Sequence, residues 1–226
     1  MQLGFGYSRA TMLGLFDARV QLCIEPIGEP DLSALPLEEQ ALVAKAVPKR
    51  RREFAAGRTL ARRLLAEQGV QHGPLLRSEH GAVLWPQGVQ ASISHCGAWV
   101  GVAMTRAPEI LGVGLDIEHA KPLEEKYWHV IMTQDDICHL ESWPLEARSR
   151  VAKRIFAAKE AAYKAQYPTS QQFLPFSAMW VAVGEDLESF QAAFRTDAEP
   201  WRKGDVLQGR FATMGDHVVT AVIATR

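Results

Sequence analysis

Hydrophobic positions recur at helical spacing in two long stretches of this chain. The pattern over residues 36–69 predicts a helix with one apolar face and one basic face. Pro36 and Pro48 interrupt that helix, and Gly69 supplies a stop. Residues 146–166 are rich in alanine and contain neither glycine nor proline, so we predict the strongest helix of the chain there.

Short apolar runs, many of them β-branched, predict the strands. The predicted strands are residues 91–95, 99–104, 112–118, 177–183, 189–194, 209–214 and 218–224. We expect the first two to pair, and a turn at Gly215 and Asp216 to join the last two. Residues 120–145 are mixed and predict helices and loops.

One short sequence pattern occurs twice, 102 residues apart. Residues 52–56 and 154–158 share Arg-x-Phe-Ala-Ala, each within a predicted helix. Such a match arises either by chance between alanine-rich helices or from a duplication. A duplication predicts two halves, residues 1–110 and 111–226. Each would be a long helix followed by about three strands and packed on a small antiparallel sheet, with a cleft and pseudo-two-fold symmetry between the halves.

Composition indicates a soluble globular protein. The 226 residues are 47% hydrophobic, and no uncharged apolar run reaches the roughly 18 residues that a membrane span needs. Residues 1–7 lack the pattern of a secretory leader, so we expect a cytoplasmic protein. Cys23, Cys96 and Cys138 are far apart and odd in number, which argues against a disulfide scaffold and a cysteine-based zinc site.

The net charge of −1 conceals two blocks of opposite sign. Residues 45–67 carry eight basic and two acidic side chains, and residues 109–141 carry eight acidic and two basic ones. This separation is expected where a polyanionic ligand binds at one place and a cation or a basic partner at another. Solvated helix faces would give a similar count, so both interpretations stay open.

Paired carboxylates lie on one predicted strand. Because side chains alternate along a strand, Asp116 and Glu118 share a face with Gly112 and Gly114. The two carboxylates would lie about 7 Å apart, which is twice the rise per strand residue. The small glycines leave room for a cation, or for a ligand against the backbone. Oxygen ligands without histidine or thiolate suit magnesium or manganese better than zinc. The alternative is an edge strand with a solvated polar face.

The strongest predicted helix carries further candidate residues. Glu160 and Lys164 lie on one stripe, with Lys159 beside it. Alone they could form an ordinary surface ion pair. Together with the paired carboxylates, Glu160 would complete a magnesium site, and the two lysines would neutralise phosphates. His95, which follows Ser94 at a strand end, would then hold a pyrophosphate, or it is a structural histidine.

Three ordered segments carry a family resemblance. Residues 92–95 read Ser-Ile-Ser-His, residues 112–118 read Gly-Val-Gly-Leu-Asp-Ile-Glu, and residues 156–165 read Phe-Ala-Ala-Lys-Glu-Ala-Ala-Tyr-Lys-Ala. In wording, order and spacing they resemble the 4'-phosphopantetheinyl transferases of the single-chain surfactin-synthetase type. Leu-Trp-Pro at residues 84–86 resembles the enterobactin-pathway branch. The resemblance spans residues 49–165, about half of the chain.

The resemblance implies a pseudo-dimeric α+β fold, complete within a monomer, that binds coenzyme A and Mg²⁺, or Mn²⁺, between its halves. It implies transfer of the 4'-phosphopantetheine arm to a serine hydroxyl of an apo acyl or peptidyl carrier protein, with release of adenosine 3',5'-bisphosphate. The carrier would belong to siderophore or other peptide synthesis, polyketide synthesis or fatty-acid synthesis. No nucleic-acid partner and no transmembrane segment are implied.

The resemblance also implies residue roles. Asp116, Glu118 and Glu160 would bind magnesium, Glu160 would take the serine proton, and Lys164 would offset the charge of the leaving group. The residues implied to contact coenzyme A are Lys49, Arg52, Arg58, Ser94, His95, Lys159 and Lys164. The family often has Gly-x-Pro before the Ser-His strand, whereas residues 81–83 read Gly-Ala-Val, which leaves the local adenine contacts open but not the metal site. The carrier helix would dock at Tyr127, Trp128, Val130 and Ile131.

Two other functions stay open from the sequence. The basic run at residues 49–52 could contact nucleic-acid phosphates, although the chain lacks an aromatic stacking motif and an overall basic charge. A non-catalytic relative could bind coenzyme A as a scaffold. Such a protein would have no need for three metal-binding carboxylates.

Overall fold

Two antiparallel sheets, each covered by one long helix, make up the part of the chain that the computed structural model describes, residues 14–225. The helices and strands in chain order are β1 (Gln21–Pro26), α1 (Leu37–Ala41), α2 (Pro48–Glu67), β2 (Gln90–Cys96), β3 (Trp99–Thr105), β4 (Ile110–His119), α3 (Trp128–Ile131), α4 (Gln134–Glu141), α5 (Leu145–Ser170), β5 (Met179–Val183), β6 (Ser189–Phe194), β7 (Val206–Met214) and β8 (His217–Thr225). Residues 1–7, on which the expectation about a secretory leader rests, lie outside the described residues. Within residues 14–225, none of the helices has the length and hydrophobicity that spanning a bilayer requires.

The first sheet has the strand order β1-β3-β2 and carries α2 on one face. Pro48 occupies the first turn of α2, where its missing N–H costs no helical hydrogen bond. Leu60 and Leu64 on α2 pack with Val100 and Val102 on β3 in one apolar core. The predicted interruption at Pro48 is confirmed, and only the five residues of α1 are α-helical before it.

The second sheet has the strand order β4-β8-β7-β6-β5 and carries α5. Alanines line the buried face of α5, and these small side chains let the helix approach the sheet closely. The helix ends four residues beyond the predicted end, at Ser170. The predicted turn at Gly215 and Asp216 is confirmed, because β7 ends at Met214 and β8 begins at His217.

Strand β1, which lies before α2, was not predicted. Three strands, β2, β3 and β4, follow α2 before α5, and four strands follow α5. These numbers agree with the expectation of about three strands after each long helix. The α+β class with antiparallel sheets is confirmed. The pseudo-two-fold duplication and the division at residue 110, where β4 begins, stay predictions.

Serine hydroxyls connect the two sheets where β2 runs beside β4. The N–H of Leu115 donates to Ser92 Oγ at 3.0 Å, and the N–H of Ile117 donates to Ser94 Oγ at 3.1 Å. Side chains therefore satisfy backbone donors that would otherwise be buried without partners. The apolar side of β4, including Leu115 and Ile117, is buried between the sheets as predicted. This junction brings the end of β2 beside the carboxylates of β4.

Candidate active site

Helix α5 covers the face of β4 that carries the predicted carboxylates. A Cβ atom on Gly112 would lie 1.9 Å from the carbonyl oxygen of Ala165, and one on Gly114 would lie 1.9 Å from that of Ala161. The glycines therefore admit the helix, and the expectation that they leave room for a cation or ligand is wrong. The alternative of a solvated face is wrong as well, because Asp116 is only 4% exposed.

Asp116 is held from two sides and keeps one unused oxygen. Its Oδ1 lies 2.7 Å from Lys164 Nζ and accepts a hydrogen bond from Ser94 Oγ at 3.2 Å. Its Oδ2 is buried and has no hydrogen-bond partner within the described part of the chain. A buried carboxylate oxygen without a donor is costly, so this atom fits a site completed by a cation.

Glu160 and Glu118 lie near this group. Burial raises the pKa of Glu160, and the charges of Asp116 and Glu118 raise it further, against the lowering effect of Lys164. Lys153 Nζ lies 3.1 Å from Glu118 Oε2. Among residues 14–225, the oxygens of the three carboxylates do not all come within 4.8 Å of one another. The three predicted metal ligands therefore lie near one another, and two of them, Asp116 and Glu118, form ion pairs with lysines.

A cleft of about 540 Å³ opens beside these residues, a size common for small-molecule sites. It lies between residues 78–93 and α5, and its wall includes Trp85, Tyr163, Glu160 and Lys164. The altered turn at residues 81–83 also lines it. The acid and the lysine of α5 therefore face a space large enough for a substrate.

A cluster of arginines lies on the α2 side of the fold. The guanidinium groups of Arg58 and Arg77 lie over the Phe54 ring, at 4.8 Å and 5.1 Å from its centroid. Burial lowers the pKa of Arg58 to about 10, with Glu39 opposing and Arg77 and Arg50 contributing. Burial and then the charge of Arg50 lower the pKa of Arg77. The carboxylate of buried Glu39 lies 3.7 Å from Arg58 Nε and supplies part of the counter-charge.

Sequence reasoning missed two members of this arginine cluster. Arg50 lies in the basic run at residues 49–52, but nothing in that run marks it as the one that contacts His95 Nε2. Arg77 lies in an isolated β-bridge with Val83 and belongs to no periodic pattern. Arg58 was predicted, and its Nε and Nη2 are buried without hydrogen-bond partners in the described part of the chain.

His95 connects the arginine cluster to the carboxylate group. Its Nδ1 lies 3.5 Å from Glu53 Oε2. Burial lowers the pKa of His95, Glu53 raises it, and Arg50 and Lys164 lower it. These charges place the imidazole between the basic residues of α2 and the lysine of α5, where a neutral ring could accept or donate a hydrogen bond.

Several predicted coenzyme A contacts do not line the cleft, among them Ser94, Lys49, Arg52 and Lys159. Ser94 is buried, and its hydroxyl positions Asp116. Lys49 is exposed with Nζ 3.8 Å from Glu53, and Arg52 is exposed with Nη1 3.6 Å from Glu29.

Lys159 is a buried structural residue. It is 3% exposed, and its Nζ lies 2.6 Å from Asp136 Oδ2 and donates to the carbonyl oxygens of Ile131 and Phe176, each at 2.9 Å. All three ammonium donors are therefore used within the protein. The predicted contact with coenzyme A phosphates is corrected: Lys159 ties α5 to α4 and to the chain before β5.

Comparison with known proteins decides the family. Residues 38–105 match the model of the 4'-phosphopantetheinyl transferase N-terminal domain, and residues 112–222 match that of the 4'-phosphopantetheinyl transferase superfamily. The chain is 34% identical over 198 residues to 4'-phosphopantetheinyl transferase Svp of Streptomyces mobaraensis, covering 84% of this chain and 79% of that protein. The chain belongs to the 4'-phosphopantetheinyl transferases.

Two further relatives of this transferase agree. The 4'-phosphopantetheinyl transferase PptT of Mycobacterium tuberculosis is 31% identical over 172 residues, 76% of this chain and 70% of that protein. Enterobactin synthase component D of Escherichia coli K12 is 33% identical over 151 residues, 66% of this chain and 69% of that protein. The enzyme class predicted from the three motifs is confirmed. Its enterobactin-pathway branch stays a prediction, because the identities do not separate the branches.

Proposed function

We propose that this transferase moves the 4'-phosphopantetheine arm of coenzyme A to a serine hydroxyl of an apo acyl or peptidyl carrier protein. The proposed reaction depends on Mg²⁺ and releases adenosine 3',5'-bisphosphate. One observation carries the proposal: Asp116, with a buried oxygen that has no partner in residues 14–225, lies 2.7 Å from Lys164, and Glu160 and Lys164 line the same cleft.

The positive charges suit the two phosphate-bearing ends of coenzyme A. Arg50, Arg58 and Arg77 would take the 3'-phosphate, because planar guanidinium groups match phosphate oxygens in pairs. Lys164 and His95 lie nearer the carboxylates and would take the diphosphate. Lys49 is exposed close to His95 and would add charge at the rim of the cleft.

Asp116, Glu118 and Glu160 would hold the magnesium ion. They fit it because they offer only oxygen ligands, which Mg²⁺ and Mn²⁺ prefer, and because one Asp116 oxygen is buried without a donor in the described chain. When bound, the ion would neutralise the charge of the diphosphate. Lys153 and Lys164 form ion pairs with two of these carboxylates. The lysine charges reduce the repulsion between the carboxylates when no metal is bound.

Glu160 is the proposed base for the serine of the carrier. Serine is a weak nucleophile at neutral pH, and a positioned base typically contributes about a hundredfold to ten-thousandfold. The serine Oγ forms a bond to the β-phosphorus while its proton passes to Glu160. The bond from that phosphorus to the bridging oxygen breaks, and this oxygen keeps the electron pair on the leaving bisphosphate. Lys164 offsets that charge in place.

The carrier protein would dock at α3 and the turn before it. Tyr127 is 47% exposed and Val130 is 62% exposed, which suits an apolar contact with a partner. Ile131 is buried and Trp128 half-buried, so these two predicted docking residues support the surface from behind. The proposed contact therefore narrows to Tyr127 and Val130.

Mass spectrometry of apo carrier proteins tests this function. Incubation with coenzyme A and Mg²⁺ should add the mass of one phosphopantetheine arm to a carrier and release adenosine 3',5'-bisphosphate, and chelation of Mg²⁺ should stop both. Glu160→Gln should lose about a hundredfold or more in rate. Glu146→Gln, in the first turn of the same helix, serves as the matched control. Unchanged masses across peptide-, polyketide- and fatty-acid-synthase carriers would contradict the proposal.

A further inference from the structure

A second cluster of ligand-forming side chains lies where the two sheets meet. Cys96 is the last residue of β2, His119 is the last residue of β4, and His217 is the first residue of β8. One ligand atom from each lies within 4.8 Å of the others. His119 and His217 are direct partners in the β4–β8 ladder, with ring centroids 4.5 Å apart. Neither the family resemblance nor the proposed transfer reaction uses this cluster.

The two imidazoles turn the same edge toward Gly97, which directly follows Cys96. A Cβ atom on Gly97, the residue after the cysteine, would lie 3.4 Å from His119 Nε2 and 3.5 Å from His217 Nε2. Asp216 lies on the other edge, with its oxygens 2.7 Å from His217 Nδ1 and 3.8 Å from His119 Nδ1. Neither Nδ1 makes a hydrogen bond within the described residues, so Asp216 lies behind the rings as a nearby charge. A carboxylate behind the imidazole is common at metal-bound histidines.

His217 supplies the second, independent sign of a ligand. The residue is 4% exposed, and its Nε2 is buried without a hydrogen-bond partner in residues 14–225. A buried ring nitrogen in this state is costly unless something occupies the space it faces. The residue shares its cluster with another imidazole and a thiol, and both are metal-ligating groups.

We infer that Cys96, His119 and His217 bind one transition-metal ion of the zinc class. Thiolate and imidazole select zinc over magnesium, so this site and the carboxylate site would take different ions. Ligand atoms around one tetrahedral zinc ion lie roughly 3.3–3.6 Å apart, from Zn–N bonds of about 2.1 Å and a Zn–S bond of about 2.3 Å. Ligand atoms that lie within 4.8 Å of one another would therefore need to move closer by at most about 1.5 Å. Three protein ligands leave one tetrahedral position for water.

The ion would act as a clamp between the two sheets. Cys96 belongs to the first sheet, and the two histidines belong to the second. The ligands also directly follow His95 on β2 and Glu118 on β4, so a bound ion would fix the strand ends that carry two proposed active-site residues. Sequence spacing gives no sign of this site, because its ligands lie 23 and 98 residues apart.

Metal titration of chelator-treated, full-length protein tests the clamp. Calorimetry with Zn²⁺ should show one ion per chain, and excess Mg²⁺ should not displace it. Co²⁺ should bind at the same site and give the near-ultraviolet charge-transfer band of a thiolate ligand. Cys96→Ser should abolish this band, while Cys138→Ser, at an exposed cysteine outside the cluster, should retain it.

Two surface variants test the site without disturbing the core. His119→Ala removes a partly exposed ligand, and Asp216→Asn, at an exposed turn, should weaken Zn²⁺ binding about 10- to 100-fold. Zn²⁺ should raise the melting temperature of the wild type and not that of Cys96→Ser. Absence of a one-to-one Zn²⁺ complex, or Zn²⁺ affinity unchanged in both Cys96→Ser and His119→Ala, would overturn the inference. Carrier modification plays no part in these readouts, so failure here is distinct from failure of the proposed transfer.

Discussion

Gly114 on β4 lies so close to α5 that a Cβ atom on it would come within 1.9 Å of the Ala161 carbonyl oxygen. Gly112 has the same relation to Ala165. Two strand residues span about 6.6 Å and four helix residues about 6.0 Å, so the two contacts repeat in step. The helix therefore rests on the strand at two points, each next to a proposed active-site residue, Glu160 or Lys164.

Replacing Gly114 with alanine should push α5 away from β4. The added methyl meets backbone rather than a flexible side chain, so we expect Gly114→Ala to lower the free energy of unfolding by about 1–3 kcal/mol or more. Urea denaturation measures the loss. Gly73→Ala is the matched control, since a Cβ there would meet nothing within 4 Å. Equal stability of the two variants would contradict the close packing.

Arg77→Ala should impair recognition of one phosphate only. Its guanidinium belongs to the proposed 3'-phosphate site, so the variant should bind coenzyme A about 10- to 100-fold more weakly, as expected for a charged hydrogen bond of about 1.5–3 kcal/mol. Affinity for dephospho-coenzyme A, which lacks that phosphate, should hardly change. Calorimetric titration with both ligands measures the difference.

Arg52→Ala is the control for that arginine experiment. Arg52 lies on α2, as Arg58 does, but it pairs with Glu29 at the surface, so its loss should affect both ligands little. If Arg52→Ala discriminates between the ligands and Arg77→Ala does not, the phosphate site is wrongly placed.

Glu160→Gln should stabilise the metal-free protein at neutral pH while it lowers activity. Burial raises the pKa of Glu160 in the folded state above its ordinary 4.5. The folded state therefore binds this proton more tightly than the unfolded chain, and its stability falls as pH rises through the raised pKa. Glutamine removes that penalty. Below about pH 4.5, where glutamate is protonated in both states, the advantage should vanish.

Denaturation at several pH values measures the Glu160 effect. Added Mg²⁺ should narrow the gap between wild type and Glu160→Gln, because the glutamate is a proposed ligand and gains a counter-charge. If Glu160→Gln is less stable than wild type at neutral pH without metal, the Glu160 carboxylate is not destabilised by burial and by the neighbouring negative charges, and the assignment is wrong.

Lys159→Met should damage stability rather than substrate binding. The change leaves Asp136 buried without its ammonium partner, which typically costs about 3–5 kcal/mol. Urea denaturation measures the loss, and calorimetry on the folded fraction should show coenzyme A affinity close to that of wild type. Lys45→Met, at an exposed position, is the control. A tenfold loss of coenzyme A affinity with full stability would restore Lys159 to the binding site.

Local patterns in the chain were sufficient for most of the secondary structure and for the family. Helical periodicity after Pro48, the alanine-rich stretch that became α5, and the hairpin turn at Gly215 all report short-range preferences. Strand β1 was missed, since its pairing with β3 is decided by residues about 80 positions away in the chain. The three motifs that carry the family resemblance could be recognised in the sequence because each lies within a single strand or helix.

The sequence by itself determined which residues could carry the chemistry: the carboxylates of β4, the acid and lysines of α5, and the basic run of α2. Only the tertiary structure decided which of them meet. In the folded chain, Lys159 is buried in an ion pair and the Ser94 hydroxyl donates to Asp116. Arg77 lies beside Arg58, and Cys96 lies beside two histidines. The reason is physical, because burial, charge pairing and backbone contact are set by the packing of distant segments, and spacing along one segment does not report them.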